Sequence, residues 1–297
     1  MRYQQNVVIA GILILVSEFL FASMGAIVKH VSVNMPNEML VFMRNMFGLL
    51  VIIPFFWGNN LSAFSTRVLH LHILRALLGV SAMYCFFYAL AHLPLANGVL
   101  LKMTTPLFLP LIALWWLNEK FHWKVIPAVI TGFIGVIIII RPDQGWNTVA
   151  MIGLLGGLLA SIAKVTVRKL GHTESTRVTV FYFALISTLV SCVPLAWAWQ
   201  QPEAGQWGWL IGMGVLGTIA QLSLTRAYAM AAPARIGSLT YFSVVFAALY
   251  GYLVWNEGLD ILFLTGAILI AVSGIIALRS KMNVKPATSK QFETEPV

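Results

Sequence analysis

Polar residues are sparse along this chain, and the apolar stretches between them recur at the length of a bilayer crossing. A helix needs roughly 20 apolar residues to span the hydrocarbon core. Ten such stretches can be marked: Val7–Val28, Glu38–Trp57, His70–Ala91, Pro94–Leu117, Trp123–Ile140, Asn147–Val167, Thr176–Trp199, Trp207–Met230, Pro233–Trp255 and Leu259–Leu278. The pattern predicts an all-α membrane protein with ten transmembrane helices. Trp57, Trp115, Trp116, Trp123, Trp146, Trp199, Trp207 and Trp255 fall near the ends of the runs. That is where indoles settle at headgroup level. From about Met282 the chain is polar and reads as a disordered tail, 282–297.

The pattern is also written twice. Tyr88-Ala89-Leu90-Ala91 returns as Tyr228-Ala229-Met230-Ala231, Pro94 as Pro233, Gly98 as Gly237 and Gly135 as Gly274. Trp116-Leu117-Asn118-Glu119 is echoed by Trp255-Asn256-Glu257, and Phe21-Ala22-Ser23-Met24 by Leu159-Ala160-Ser161-Ile162. Such self-similarity marks a duplicated unit. The expected units are 1–142 and 143–281, five helices each. Five is odd, so the second copy enters the membrane from the other side and is inverted. Inverted repeats with a site between them are an architecture of secondary transporters.

Charge sets the orientation. With the N-terminus inside, the inner segments hold Arg2, Arg67, Lys120, Lys124, Arg168, Lys169, Arg177, Arg235, Arg279, Lys281, Lys285 and Lys290. The outer segments hold only Lys29 and Arg141 among several acids. By the positive-inside rule, both termini are expected in the cytoplasm and the protein in the cytoplasmic (inner) membrane. The first run lacks a small-x-small cleavage site and carries Glu18, so it reads as a retained helix.

Composition agrees. Of 297 residues, 59% are hydrophobic and only 10% charged, against about 25% charged in a soluble domain. The mean hydropathy is +0.85. The formal charge of +9 is explained by inner loops and does not point to nucleic acid. Two cysteines in apolar runs, Cys85 and Cys192, make no disulfide framework. No metal-ligand spacing, catalytic constellation or cofactor motif is present, so no enzyme, metal or cofactor is expected. An intramembrane lipid-modifying enzyme would need an acidic DDxxD cluster, paired histidines or a nucleophile elbow, and none is found. Gly153-x-x-x-Gly157 and Gly208-x-x-x-Gly212 read as packing contacts.

The two halves, the Leu93-Pro94-Leu95-Ala96 joint before Gly98, the Thr105-Pro106 pair and Asn118-Glu119 closing the fourth helix resemble the drug/metabolite transporter superfamily. The ordered set is similar to its ten-helix EamA-type branch. The resemblance implies two inverted five-helix bundles, a central cavity and alternating access without ATP. Arg44 and Arg75 sit where such proteins often carry arginines. The small multidrug members of the superfamily place a glutamate midway in helix 1, as Glu18 is placed here. The second half departs from the first, with Tyr182 near the position that matches Arg44.

Ionisable groups at membrane depth cost about 2.5–3.5 kcal/mol each on insertion scales, so they are functional candidates by default. Six lie within the runs: Glu18, Arg44, Arg75, Lys102, Lys164 and Arg226. Glu18 suits proton or cation binding. Lys102, ~12 Å into helix 4 at 1.5 Å per residue, suits a pairing with Glu18 or with an anionic solute. Arg44 suits a carboxylate or phosphate clamp. For Arg75, Lys164 and Arg226, snorkelling toward the nearer interface is the competing reading. Tyr84, Tyr88, Asn97, Gln221, Tyr228 and Tyr241 can supply neutral hydrogen bonds and aromatic walls. His72 and His92 fall at helix ends and read as interfacial. Pro106, Pro110 and Pro127 are expected to interrupt helical hydrogen bonding. Glu119 and Glu257 oppose their own helix dipoles, so each is expected to have a specific partner, such as a neighbouring helix N-terminus.

Five bases against one acid favour an anionic or zwitterionic solute. The expected function is a secondary transporter of a small organic metabolite, anionic or amino-acid-like, with protons as the candidate coupling ion. The chain is expected as a monomer or homodimer. The rival is a proton-coupled exporter of hydrophobic cations or drugs using Glu18. A passive channel is the third reading.

Overall fold

The structure is a computed structural model. It describes residues 7–56, 66–105, 107–108, 112, 125–140, 147–170, 173–174, 176–230, 237–258 and 260–280. The described residues form helices with no strand among them. We label α1 (Val7–Val31), α2 (Asn37–Ile52), α3 (Leu69–His92), α4 (Leu95–Lys102), α5 (Val125–Ile140), α6 (Thr148–Leu170), α7 (Thr176–Cys192), α8 (Gln206–Met230), α9 (Phe242–Trp255) and α10 (Ile261–Ser280). Within these, Val8–Val31, Leu69–His92, Thr148–Val167 and Gln206–Leu224 are long and apolar enough to cross a membrane. Val178–Cys192, Leu239–Trp255 and Ile261–Ser273 are shorter apolar helices.

Packing follows a pseudo-two-fold pattern. α1 packs on α8 as α6 packs on α3, and α2 packs on α8 as α7 packs on α3. α1 meets α9 as α6 meets α4. α2 pairs with α7, α4 with α9 and α5 with α10, each with its own repeat counterpart. Helix directions alternate, so the two five-helix units are inverted copies. We call the side where α1 begins the N face, and the other the opposite face.

Each helix shows one stripe to the interior. In α1 the buried residues Ala10, Ile14, Ser17, Glu18 and Ala22 recur at helical spacing, while Val8, Ile9, Ile12, Val16 and Phe19 point outward. In a protein that spans a membrane, that outward apolar face meets lipid, and the inward stripe is where a carboxylate can be kept. Two bolts fix the rotation of α1 about its axis. Ser17 Oγ donates to Ala220 O of α8 at 2.8 Å, and Ser23 Oγ lies 2.8 Å from the Tyr250 hydroxyl of α9.

Several helices are shorter than the hydropathy runs. α2 gives way to a 3₁₀ turn, Ile53–Phe56, where Pro54 has no N–H to continue the ladder. α7 stops at Cys192, and a separate turn, Leu195–Ala198, follows Pro194. α9 is entered through a 3₁₀ segment, Gly237–Tyr241. α4 ends at Lys102 with Met103 as its C-cap. A proline at 106 has no N–H for the carbonyl of residue 102, and Thr105 Oγ1 donates to Lys102 O instead, at 2.7 Å. Pro106 and Pro110 themselves lie outside the described residues. α5 continues unbroken past Pro127, against expectation: a proline near the start of a helical segment removes few of its hydrogen bonds.

The Asn-Glu pair closing α9 has a clear physical role. Asn256 is left-handed, with φ 54°, and its N–H bonds back to Tyr252 O at 3.1 Å. Asparagine tolerates that conformation. The reversal folds Glu257 back over Gly251, where an added Cβ would collide with its carboxylate. Glu257 Oε2 then accepts from Leu95 N at 2.8 Å, so it caps the N-terminus of α4, where the helix dipole favours an anion. Oε1 pairs with Lys29 at the end of α1. Lys29 also donates to Leu93 O at 2.8 Å and lies 5.5 Å from the Trp255 ring. One carboxylate thus ties α1, α4 and α9 together at the opposite face. Glu119, its sequence counterpart, lies outside the described residues.

Removing that carboxylate loses a charge-assisted cap and an ion pair. Hydrogen bonds to charged groups contribute about 1.5–3 kcal/mol. Glu257→Ala is therefore expected to lower the thermal midpoint of the purified protein by several degrees. Glu257→Gln, which can still accept from Leu95 N, should recover part of the loss. Equal midpoints for all three proteins would contradict the capping role.

Candidate substrate cavity

Five of the six ionisable residues marked at membrane depth, Glu18, Arg44, Arg75, Lys102 and Lys164, lie within electrostatic reach of one another along the contact between the two repeats. Glu18 is 4% exposed, and its carboxylate faces the Ser243 hydroxyl at the start of α9. Lys102 and Lys164 both lie within electrostatic reach of it. Lys102 stands at the break in α4, half-buried, its Nζ 4.7 Å from the Phe21 ring centroid and 4.8 Å from that of Phe86. Two ring faces hold an ammonium by cation–π attraction. Lys164, on α6, is exposed while facing the same group.

The cluster continues to the arginines. Arg44 of α2 senses Lys102, and Arg75 of α3 senses Arg44. Arg44 is 8% exposed, and its Nη1 donates to Asn45 Oδ1 at 3.0 Å. Its Nε is buried without a hydrogen-bond partner. The Arg75 guanidinium lies 3.8 Å over the Phe183 ring, and its Nε is likewise unpartnered. Among the described residues the one ion pair is Lys29–Glu257, so neither guanidinium has a carboxylate against it. A small cavity opens beside Arg44, lined by Asn45, Gly48, Phe183, Thr218 and Gln221 among others. Its volume is about 20 Å³.

Order therefore runs from acid to base: Glu18 at the α1–α9 contact, the two lysines beside it, then Arg44 and Arg75 toward α7. This arrangement can hold an anionic group at one end and a protonated or cationic group at the other.

The remaining candidates are spread out. Gln221 lines the Arg44 cavity. Tyr241 is 9% exposed with an unpartnered buried hydroxyl, and by the repeat spacing of Gly98 and Gly237 it is the counterpart of Lys102. Tyr84 also buries an unpartnered hydroxyl, and its backbone carbonyl accepts from Asn37 Nδ2 at 3.0 Å. Tyr88 packs on His92 with ring centroids 4.2 Å apart, near the opposite face. Asn97 is half-buried in the first turn of α4, and Arg226 is exposed near the N-face end of α8. The side chain of Tyr228 lies outside the described residues. His72, in the first turn of α3, is 1% exposed and stacked on Tyr182 at 4.6 Å. α7 packs over the first turns of α3 and covers it.

Comparison with known proteins decides the class. The EamA-like transporter family matches residues 8–141 and, again, 147–279. This chain belongs to that family. A pseudopaline exporter, CntI, of Pseudomonas aeruginosa is 32% identical over 277 residues, 92% of this chain and 97% of that protein. An S-adenosylmethionine uptake transporter of Rickettsia bellii is 26% identical, covering 89% of this chain and 90% of the relative. A riboflavin transporter of Vibrio cholerae is 28% identical over 80% and 81%. One solved structure superposes with a TM-score of 0.63 at 16% identity, covering 90% of this chain and 96% of that one, which supports the fold alone. The EamA-like chain is a multi-pass membrane protein and a transporter of small metabolites, not an enzyme.

Some residues of this EamA-like cavity escaped sequence reasoning. Phe183 under Arg75, Phe21 and Phe86 around Lys102, and Ser243 opposite Glu18 look like ordinary membrane residues. The repeat offered a signal for two of them. Phe183 follows Arg44 by the same 139 positions that separate Gly98 from Gly237, and Ser243 follows Thr104 likewise.

Proposed function

We propose that this protein is a secondary transporter of a small anionic or zwitterionic, amino-acid-like metabolite. The units 1–142 and 143–281 would rock about the site formed by Glu18, Arg44, Arg75, Lys102 and Lys164, exposing it to each side in turn. The observation that carries the reading is the pair of guanidinia, Arg44 and Arg75, with unpartnered Nε atoms and, among the described residues, no carboxylate against them. Burying unpaired charge costs several kcal/mol per ion, and a solute carboxylate or phosphate repays that cost in fork geometry. Tyr84, Tyr241 and Gln221 complete the walls. The cavity beside Arg44 is small, about 20 Å³ against the ~300–1,000 Å³ of a ligand pocket, and the proposed rocking would open further space for a solute there. The Lys29–Glu257 tie at the opposite face supports a conformation closed there. Excess basic residues in the loops of the N face support cytoplasmic termini and a place in the cytoplasmic membrane.

Glu18 is the proposed proton site. It is the acid of the cluster, and a proton and a substrate cation can compete for it. Tyr88, Asn97, Arg226 and Tyr228 are retained as candidates for the path rather than the site.

The test is counterflow in proteoliposomes loaded with pooled metabolites and supplied with labelled ones outside. Saturable exchange of an organic anion or amino acid is the expected result. Exchange of hydrophobic cations alone would replace this reading with the drug-exporter one, and non-saturable flux would indicate a pore.

A further inference from the structure

The cavity beside Arg44 is built for something smaller than a metabolite. Its 20 Å³ exceeds the ~10–15 Å³ a water needs and is small for a whole metabolite. Its walls are polar where they matter. Arg44 lies more than nine-tenths buried, with Nε lacking a partner. The amide of Asn45, the Thr218 hydroxyl and the Gln221 amide are supplied by adjoining turns of α2 and α8. Gly48 lines it, and a Cβ there would stand 2.9 Å from Thr218 Oγ1, so a larger residue would crowd the wall.

Charge points the same way. Arg44 and Arg75 are electrostatic neighbours of like sign. Glu18 is electrostatically engaged with Lys102 and Lys164. Arg44 is buried, Arg75 and Lys102 are half-buried, and Glu18 is the one acid near them among the described residues; unpaired buried charge is costly without a counter-ion. The group that balances Arg44 must therefore be an anion, small, and supplied from solution.

We propose that the α2–α7–α8 cavity beside Arg44 is a binding site for a small inorganic anion of chloride size. The ion holds the Arg44 guanidinium in place between transport cycles and leaves when an anionic solute arrives. The inference shares Arg44 with the reading above but concerns a different ligand and is tested without transport.

The probe is chloride. The purified full-length protein is unfolded thermally at constant ionic strength while chloride replaces gluconate, followed through its tryptophans. A saturable rise of several degrees in Tm is expected for the wild type, since a ligand of the native state stabilises by mass action. Arg44→Gln should flatten that dependence. Asn45→Asp places a carboxylate where the Asn45 side chain now meets Arg44. It should raise Tm in gluconate and remove the response to chloride. Equal Tm values for the wild type in chloride and gluconate overturn the proposal, as does a full chloride response in Arg44→Gln or Asn45→Asp. Loss of the chloride effect together with intact, Arg44-dependent counterflow of an organic anion would leave the substrate reading standing and remove only this site.

Discussion

Glu18→Gln protein will no longer accumulate substrate when a pH difference is the only driving force. Glutamine keeps the shape and the hydrogen-bonding reach toward Ser243 but cannot carry a proton between faces. In a membrane interior, a carboxylate that alternates between charged and neutral is the simplest way to link proton movement to a conformational cycle. Substrate exchange at equal pH on both sides needs no net proton transfer and should persist at a measurable rate. Proteoliposomes with an imposed pH gradient, set beside counterflow at symmetric pH, separate the two steps. Loss of both would make Glu18 a substrate ligand first. Retention of pH-driven accumulation would remove it from coupling altogether.

The second large effect is expected at Arg44. Arg44→Gln removes a guanidinium that is more than nine-tenths buried and has an unpartnered Nε. A hydrogen bond to a charged group contributes about 1.5–3 kcal/mol, which is ~10–100-fold in affinity at 1.4 kcal/mol per decade. The expected signature is a KM for counterflow raised by that factor. Arg44→Lys should restore little, because an ammonium cannot offer the planar fork. A KM unchanged in Arg44→Gln would mean that the anion of the substrate is read elsewhere, with Arg75 or Lys102 next in line.

Much of this was legible in the residues themselves. Helix number and the duplication follow from runs of bilayer length and from paired landmarks such as Pro94 and Pro233, because lipid leaves few alternatives to a helix. Glu257 was readable as needing a partner, since a carboxylate at the end of its own helix is disfavoured. Leu95 N and Lys29 as that partner were not. They come from a chain distance of more than 160 residues, and nothing local encodes them. The ends of helices were read poorly where Pro54 and Pro194 cut apolar runs that hydropathy treats as continuous. The covering of His72 by Tyr182 of α7 was not legible either, since proximity to a helix end does not say which helix packs over it. Within the cavity, charges identified themselves by the cost of burying them. The rings of Phe21, Phe86 and Phe183 could not, because an aromatic residue is equally at home against lipid.

The pseudo-two-fold pairing has a further consequence. If the two halves were identical, exchanging their shapes would convert one access state into the other at no free-energy difference. Here Glu18 falls opposite Gly156-Gly157, and Arg44 opposite Tyr182-Phe183. Under the proposed rocking mechanism those mismatches would lift the degeneracy and favour one side of the bilayer in the unloaded carrier. Cargo must then supply the differential binding that brings it back toward balance.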